Sequence, residues 1–130
     1  MTGVRTTRVR RAVAAALLAG CGAATAPRAV GGGDLRVAVA RDGLRLHNVG
    51  AAPVFVAVYG REESALILWG PCVDAAVCPP IAPGASRAAP RPGTPARPER
   101  EANVYWWRAV RGPDGALRPD SVRTITVALP

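Results

Sequence analysis

Lysine is absent from this chain of 130 residues, so all 17 of its strongly basic residues are arginines. Ala, Arg, Gly and Pro are abundant, as GC-rich coding would produce, and all-arginine usage does not by itself indicate a binding surface. Arg5, Arg8, Arg10 and Arg11 precede Cys21, which leaves 13 arginines against nine acidic residues and a charge of +4 in the remainder. Because these arginines are scattered rather than clustered among aromatic residues, we predict no nucleic-acid partner.

A long hydrophobic run is also missing. The most apolar stretch near the N terminus, residues 12–20, is a nine-residue run of Ala, Val, Leu and Gly, whereas a membrane-spanning helix needs about 20 residues. Histidine occurs once, as His47, with no Cys, Asp or Glu at ligand spacing. Without further metal ligands or a recognisable acid–base or nucleophile pattern, we predict no metal site, no cofactor and no enzymatic activity.

The first 21 residues have the layout of a secretory signal peptide. Residues 1–11 are polar and positive, residues 12–20 are apolar, and small residues precede Cys21. Leu18-Ala19-Gly20-Cys21 resembles the lipobox of bacterial lipoproteins. The resemblance implies that a diacylglyceryl group is attached to the Cys21 thiol and that a peptidase cuts between Gly20 and Cys21. The new amino terminus then carries a further fatty acid such as palmitate.

The same resemblance implies an exported protein that is held to a membrane and faces the periplasm or the cell surface. Each acyl CH₂ buried in the bilayer contributes about 0.8 kcal/mol, so several chains anchor a protein firmly. Gly22 stands where some inner-membrane lipoproteins have Asp, which favours the outer membrane where a cell has one. Two alternatives are an ordinary signal peptide with a chance cysteine and a twin-arginine signal at Arg10-Arg11, although the residues after that pair lack the rest of the pattern.

Two further cysteines remain once the resemblance assigns Cys21 to lipid. Thiols outside the cytoplasm are generally oxidised, so we predict a structural disulfide between Cys72 and Cys78 that closes a short loop. Redox motifs place two residues between the cysteines, whereas five intervene here, and zinc would need two more ligands.

The length of the chain suits one folded domain. We predict a signal peptide over residues 1–20 that forms a signal helix, a flexible lipid-anchored tether over residues 21–33, and a folded domain over residues 34–130. The tether is rich in Ala and Gly and shows no core-forming pattern.

Period-2 alternation of apolar residues predicts strands in the folded domain. Residues 35–48 read as a hairpin with a turn at Arg41-Asp42-Gly43, and residues 54–59 read as a central strand because both faces are apolar. Further strands are predicted at 65–69, 81–89, 103–110 and 121–129. About seven short strands predict an all-β domain, a small antiparallel β-sandwich that resembles immunoglobulin-like domains. A small Greek-key barrel is the alternative.

Two adjacent tryptophans are the first candidate binding residues. Trp106 and Trp107 must point to opposite faces of a strand, so we expect one in the core and the other partly exposed. The exposed ring could form a platform for a sugar or peptide, or it could pack under a loop such as the proline-rich one. We assign Trp69, next to the disulfide loop, to the core.

The second candidate is the proline-rich stretch 90–100, which carries Arg91, Arg97 and Arg100. Prolines at this density exclude a central strand and favour an extended, exposed loop. The loop could grip an anionic partner such as lipid head groups or an envelope polymer, or it could be a connection of biased composition.

Together these features predict a lipid-anchored, non-enzymatic protein of the cell envelope that presents a small β-sandwich for binding or structural interaction. Its partner would be an envelope protein or polymer. One alternative is an accessory or inhibitor subunit of an envelope enzyme or secretion complex. Another is a carbohydrate- or peptide-binding module that uses an exposed tryptophan.

Overall fold

The computed structural model describes residues 29–130, which are built mainly of β-strands and loops. The elements in chain order are β1 (Ala29–Gly32), β2 (Leu35–Ala40), β3 (Gly43–Asn48), β4 (Phe55–Gly60), α1 (Arg61–Ser64), β5 (Ser86–Pro90), β6 (Gly93–Thr94), β7 (Arg97–Pro98), β8 (Glu101–Trp107), β9 (Ala109–Arg111), β10 (Leu117–Pro119) and β11 (Arg123–Ala128). The predicted signal peptide and signal helix, the cleavage site at Gly20 and the lipid acceptor Cys21 lie outside the described residues, as does most of the predicted tether.

Two antiparallel sheets pack face to face and confirm the predicted all-β sandwich. The first sheet has the order β1-β2-β3-β5 and the second has the order β11-β8-β4, while β9 pairs with β10 and β6 with β7 in short hairpins. Side chains from both sheets and from Ile81 fill the space between them: Leu35, Val37, Leu44, Leu46, Val54, Ala102, Val104, Trp106 and Val127. Six of the seven predicted strands have a counterpart among the described residues.

The β2–β3 hairpin follows from the alternation of its side chains. Val37 pairs with Leu46 across the two strands, and both are buried on the inner face. Gly43 stands where β3 meets β5, and a Cβ at this position would overlap the carbonyl oxygen of Ala89. The missing side chain therefore lets β5 pair closely with the start of β3 and extend the first sheet.

The prediction of a central strand at residues 54–59 is wrong in its position. This segment forms β4 at the edge of the second sheet, and the central strand of that sheet is β8, which pairs with β4 on one side and β11 on the other. The strand is apolar on both faces because its outer face is also covered. The cover is the irregular segment 65–80 and not a third sheet.

The strand predicted at residues 65–69 is not formed. The single helical turn α1 diverts the chain after β4, with the side chain of Glu63 accepting a hydrogen bond from the backbone N–H of Gly60. The following residues then run without a strand partner, and Leu66 and Leu68 point fully into solvent. Within residues 29–130, no helix is long and apolar enough to cross a membrane.

The end of the predicted tether instead contributes a strand. Residues 29–32 form β1, which pairs with β2 from Ala29 opposite Ala38 to Gly32 opposite Leu35. A Cβ on Gly31 would overlap the carbonyl oxygen of Leu35, so the small residue allows the close pairing. Backbone hydrogen bonds alone can add such an edge strand, without the apolar pattern that sequence reasoning requires.

Candidate functional site

The two adjacent tryptophans lie on opposite faces of β8, as predicted, but neither ring is exposed. Trp106 lies in the core between the sheets and Trp107 lies on the outer face of the second sheet, and each is 4% exposed. The expectation of one partly exposed tryptophan is therefore wrong. The reason is that segment 65–80, and not the proline-rich loop, covers Trp107, whose Nε1 donates to the Cys72 carbonyl oxygen at 2.7 Å.

A layer of aromatic side chains joins this covering segment to the second sheet. Trp69 lies 4.6 Å from Tyr105, 5.6 Å from Tyr59 and 6.0 Å from Trp107 between ring centroids, and Phe55 stacks parallel to Trp107 at 6.3 Å. Trp69 is thus half-buried on the outer face and not in the core between the sheets, which corrects its prediction. The layer fixes the path of a segment that has no backbone ladder of its own.

The disulfide between Cys72 and Cys78 is confirmed, with Cα atoms 6.4 Å apart. Inside the loop, the Asp74 carbonyl accepts from the N–H of Cys78 at 2.9 Å and the Asp74 carboxylate accepts from the N–H of Ala76 at 2.9 Å. The carboxylate of Asp74 is therefore occupied in shaping the turn.

Two contacts fasten the exit of the loop to the sandwich. The Arg87 guanidinium of β5 donates to the carbonyl oxygens of Pro79 and Pro80 at 2.6 and 3.1 Å. Ile81 then forms a reciprocal pair of backbone hydrogen bonds with Val54 and is buried in the core. Arg87 is an inward-pointing charge on an edge strand, a device that discourages further strand pairing.

An apolar groove of about 450 Å³ opens beside this loop. It is lined by the start of β4, the disulfide loop and the β9–β10 hairpin: Ala52, Pro53, Phe55, Val73, Asp74, Ala75, Pro80, Ala109 and Leu117. Asp74 is the one charged residue among them. The groove lies at the end of the sandwich where β3 ends and β4 begins, opposite the β2–β3 turn.

A buried asparagine organises the loop before β4. Asn48 is fully buried, and its Nδ2 donates to the carbonyl oxygens of Ala52 and Ile81, both at 2.8 Å. Its Oδ1 accepts from the N–H of Gly50 at 2.8 Å. One side chain thus connects the end of β3 to both the 49–53 loop and the exit of the disulfide loop, two sides of the groove.

A network of charged residues holds the β9–β10 hairpin that forms the third side. Arg108, at the break between β8 and β9, lies 3.5 Å from the Asp34 carboxylate and 3.1 Å from that of Asp120. Arg123 also approaches Asp34 at 3.5 Å. The backbone N–H of Ser121 and the Arg108 guanidinium lower the pKa of the Asp120 carboxyl below its ordinary value of 3.8.

The predicted arginine-rich loop lies at the other end of the sandwich. Residues 91–100 follow β5, whose last residue pairs with Gly43 beside the β2–β3 turn, and the loop contains the small β6–β7 hairpin. Arg91 donates to the Glu99 carbonyl oxygen at 3.1 Å and so shapes the loop itself. Arg97 and Arg100 are exposed. The structure does not bring these arginines together with Trp106 or Trp107.

His47, the single histidine, has a structural role on the first sheet. His47 is half-buried on the outer face of β3, and its Nδ1 lies 2.9 Å from the Ser86 hydroxyl on β5. Among residues 29–130, no three His, Cys, Asp or Glu side chains come together in a way that could hold a metal ion.

Sequence reasoning missed the groove as a site. The composition of the disulfide loop could have indicated it. Exposed loops are usually polar, whereas this loop has one polar residue among four apolar ones: Val73, Ala75, Ala76 and Val77. No family model matches the chain, and no curated protein or solved structure matches it either.

Proposed function

We propose that the protein is a non-enzymatic binding module of the cell envelope, anchored by lipid on Cys21, that binds an apolar peptide segment of an envelope protein in the groove beside the disulfide loop. The observation that carries the proposal is the groove's lining, which is apolar except for Asp74. A concave apolar surface of this size is the usual form of a binding site for an apolar group.

The construction of the groove supports a binding role. Each of its three sides is held by a different interaction. The Asn48 side chain holds the loop before β4, the Cys72–Cys78 disulfide holds the disulfide loop, and the ion pairs of Arg108 hold the β9–β10 hairpin. A wall that is already rigid loses little conformational entropy when a ligand binds. The one carboxylate of the lining is hydrogen-bonded within its own turn, which favours binding rather than acid–base chemistry.

The position of the groove agrees with a lipid anchor. The chain enters the first sheet at Ala29, opposite Ala38 and close to the β2–β3 turn. The groove lies at the other end of the domain, so a protein held through residues before Ala29 would present it away from the bilayer. An accessory subunit of an envelope complex would use the same groove, with the enzyme or secretion component as its partner.

The anchor is tested by labelling cells with a radioactive fatty acid. We expect label in the parent and in the Cys72→Ser/Cys78→Ser control, and none in Cys21→Ser. A Cys21→Ser protein that is labelled and processed like the parent would contradict the anchor.

The groove is tested by placing a photo-crosslinking amino acid at Ala75 in intact cells, in the parent and in two charge variants. Leu117→Asp puts a carboxylate into the groove wall, and Leu66→Asp makes the same change at a more exposed leucine outside it. We expect a discrete crosslinked partner to be lost in Leu117→Asp, by about tenfold or more, and retained in Leu66→Asp. Equal crosslinking in all three proteins would remove the groove from the proposal.

A further inference from the structure

The outer face of the first sheet carries mostly small side chains and a positive charge. The β2–β3 register places Arg36 opposite His47 and Arg45 opposite Ala38. Apart from His47, the outward-facing residues of β2, β3 and β5 around the two arginines are small: Ala38, Ala40, Gly43, Ser86, Ala88 and Pro90. No carboxylate belongs to this face of the three strands. Arg41 and Asp42 in the turn at its border carry opposite charges and cancel.

The two arginines of this face differ from most other arginines that the structure describes. Arg61, Arg108, Arg118 and Arg123 pair with carboxylates, and Arg87, Arg91 and Arg111 donate to carbonyl oxygens. Within residues 29–130, the side chains of Arg36 and Arg45 make no hydrogen bond and no ion pair, although their backbones pair within the sheet. Arg36 and Arg45 are diagonal neighbours on adjacent strands, a spacing of roughly 7–8 Å in sheets, so their like charges repel. The face therefore carries positive charge that the fold leaves unbalanced.

A flat anionic surface complements this face. Small side chains allow close approach over three strands, and the guanidinium groups of Arg36 and Arg45 can each bind a phosphate. A second copy of the chain would bring the same two positive charges against each other, so the charge argues against a face-to-face dimer. An anionic bilayer offers phosphates at high density on a plane, and each arginine near such a surface contributes about 1 kcal/mol of attraction.

The place where the chain enters the domain brings this face close to the proposed anchor. β1 lies at the edge of this same sheet, and Ala29 is eight residues after Cys21. Eight residues can span at most roughly 29 Å, about the thickness of the hydrocarbon core of one bilayer. A lipid on Cys21 would therefore keep the first sheet beside the membrane surface.

We propose that the outer face of the first sheet, through Arg36 and Arg45, lies against the anionic phospholipid head groups of the membrane that holds Cys21. The inference rests on the proposed lipid anchor and adds an orientation to it. The second sheet and the groove, with Phe55, Ala109 and Leu117 in its lining, then face away from the bilayer toward a partner.

The test uses the acylated protein in vesicles of pure phosphatidylcholine and in vesicles that also contain phosphatidylglycerol. A fluorophore is attached at Ala88→Cys on the charged face or at Thr124→Cys on the outer face of β11, both of them exposed positions. We expect phosphatidylglycerol to shield the label at position 88, and not that at 124, from the neutral quencher acrylamide. High salt should abolish the shielding.

The matched variants are Arg36→Ser/Arg45→Ser and Arg111→Ser/Arg118→Ser, which remove the same charge from different places. Arg36→Ser/Arg45→Ser should lower the ratio of protein with this face on the bilayer to protein in other orientations by about 30-fold. Two arginines at about 1 kcal/mol each imply this change. The second should leave the shielding unchanged.

Flotation of the vesicles shows whether a negative result contradicts the lipid anchor or only the contact between the charged face and the head groups. A protein that floats with both kinds of vesicle but shows no shielding at position 88 would keep the anchor and overturn the face. A protein that does not float with pure phosphatidylcholine would overturn the anchor, and the face proposal would fall with it. Shielding by soluble polyphosphate but not by phosphatidylglycerol would identify a polyanion site and overturn the bilayer proposal.

Discussion

The two sides of strand β8 are buried by different means. On the inner side, Val104 and Trp106 pack against the first sheet, whose strands are joined by continuous hydrogen-bonded ladders. On the outer side, Tyr105 and Trp107 are covered by segment 65–80, which is held by aromatic contacts, a disulfide and a few single hydrogen bonds. Trp106 and Trp107 are each 4% exposed, so equal burial can come from a cooperative sheet or from a set of local contacts.

The difference has a consequence for where a binding site can form. A regular sheet presents a smooth surface, whereas an irregular cover can leave a concave surface between its own loops and the sheet. The groove lies where the disulfide loop leaves the outer side of β4. We therefore associate the inner side with stability and the outer side with recognition.

The largest expected effect contrasts a leucine of the inner side with one of the covering segment. Leu46→Ala empties a core position that is 2% exposed, and we expect the free energy of unfolding to fall by about 2–5 kcal/mol. Leu68→Ala removes the same atoms from a fully exposed position and should change it by less than about 0.5 kcal/mol. Urea unfolding measures both. A large loss in Leu68→Ala would mean that this leucine is covered in solution.

An intermediate effect is expected when the disulfide is removed. The bond closes a small loop, so Cys72→Ser/Cys78→Ser should lower the free energy of unfolding by about 2 kcal/mol. Because the bond belongs to the outer side only, hydrogen exchange should accelerate in residues 70–80 and stay slow in β8. Equal acceleration in β8 would show that the two sides of the strand open together and are not independently stabilised.

The smallest effect concerns the two indole N–H groups. Trp107 Nε1 donates to the Cys72 carbonyl oxygen, whereas Trp106 Nε1 is buried without a partner among the described residues. Replacement by Phe costs ring volume at both positions, but only Trp107→Phe also breaks a hydrogen bond. We expect Trp107→Phe to be the more destabilising by about 1 kcal/mol in urea unfolding. The reverse order would show that the N–H of Trp106 has a partner in solution.

The packing of the inner side could be predicted from the sequence because it follows from residues that are close together in the chain. Period-2 alternation in residues 35–48 determines which side chains of the hairpin face inward, and the structure pairs Val37 with Leu46 accordingly. The adjacency of Trp106 and Trp107 likewise determines that they face opposite ways. These are properties of a strand that hold whatever packs against it.

The cover of the outer side could not be predicted because it depends on contacts between residues that are far apart in the chain. Residues 65–69 are apolar, and a short apolar run does not reveal whether a partner strand exists. Nothing in the residues around Trp107 identifies segment 65–80 as its cover. The disulfide was predicted because the lipobox resemblance assigned Cys21 to lipid and left Cys72 and Cys78 as a pair. The groove beside it depends on the loop meeting Pro53 and Leu117, which are far away in the chain.

The short strand β1 has a consequence for release of the domain from its attachment. It belongs both to the segment that leads back toward Cys21 and to the edge of the first sheet, where it covers the outer edge of β2. A protease that cut between β1 and β2 would free the domain and also strip this strand, leaving a bare ladder of N–H and C=O groups. Such an edge readily pairs with strands from other chains, so the released fragment should self-associate. A cut before Ala29 would leave β1 in place on the edge of β2, and the released domain should not self-associate through that edge.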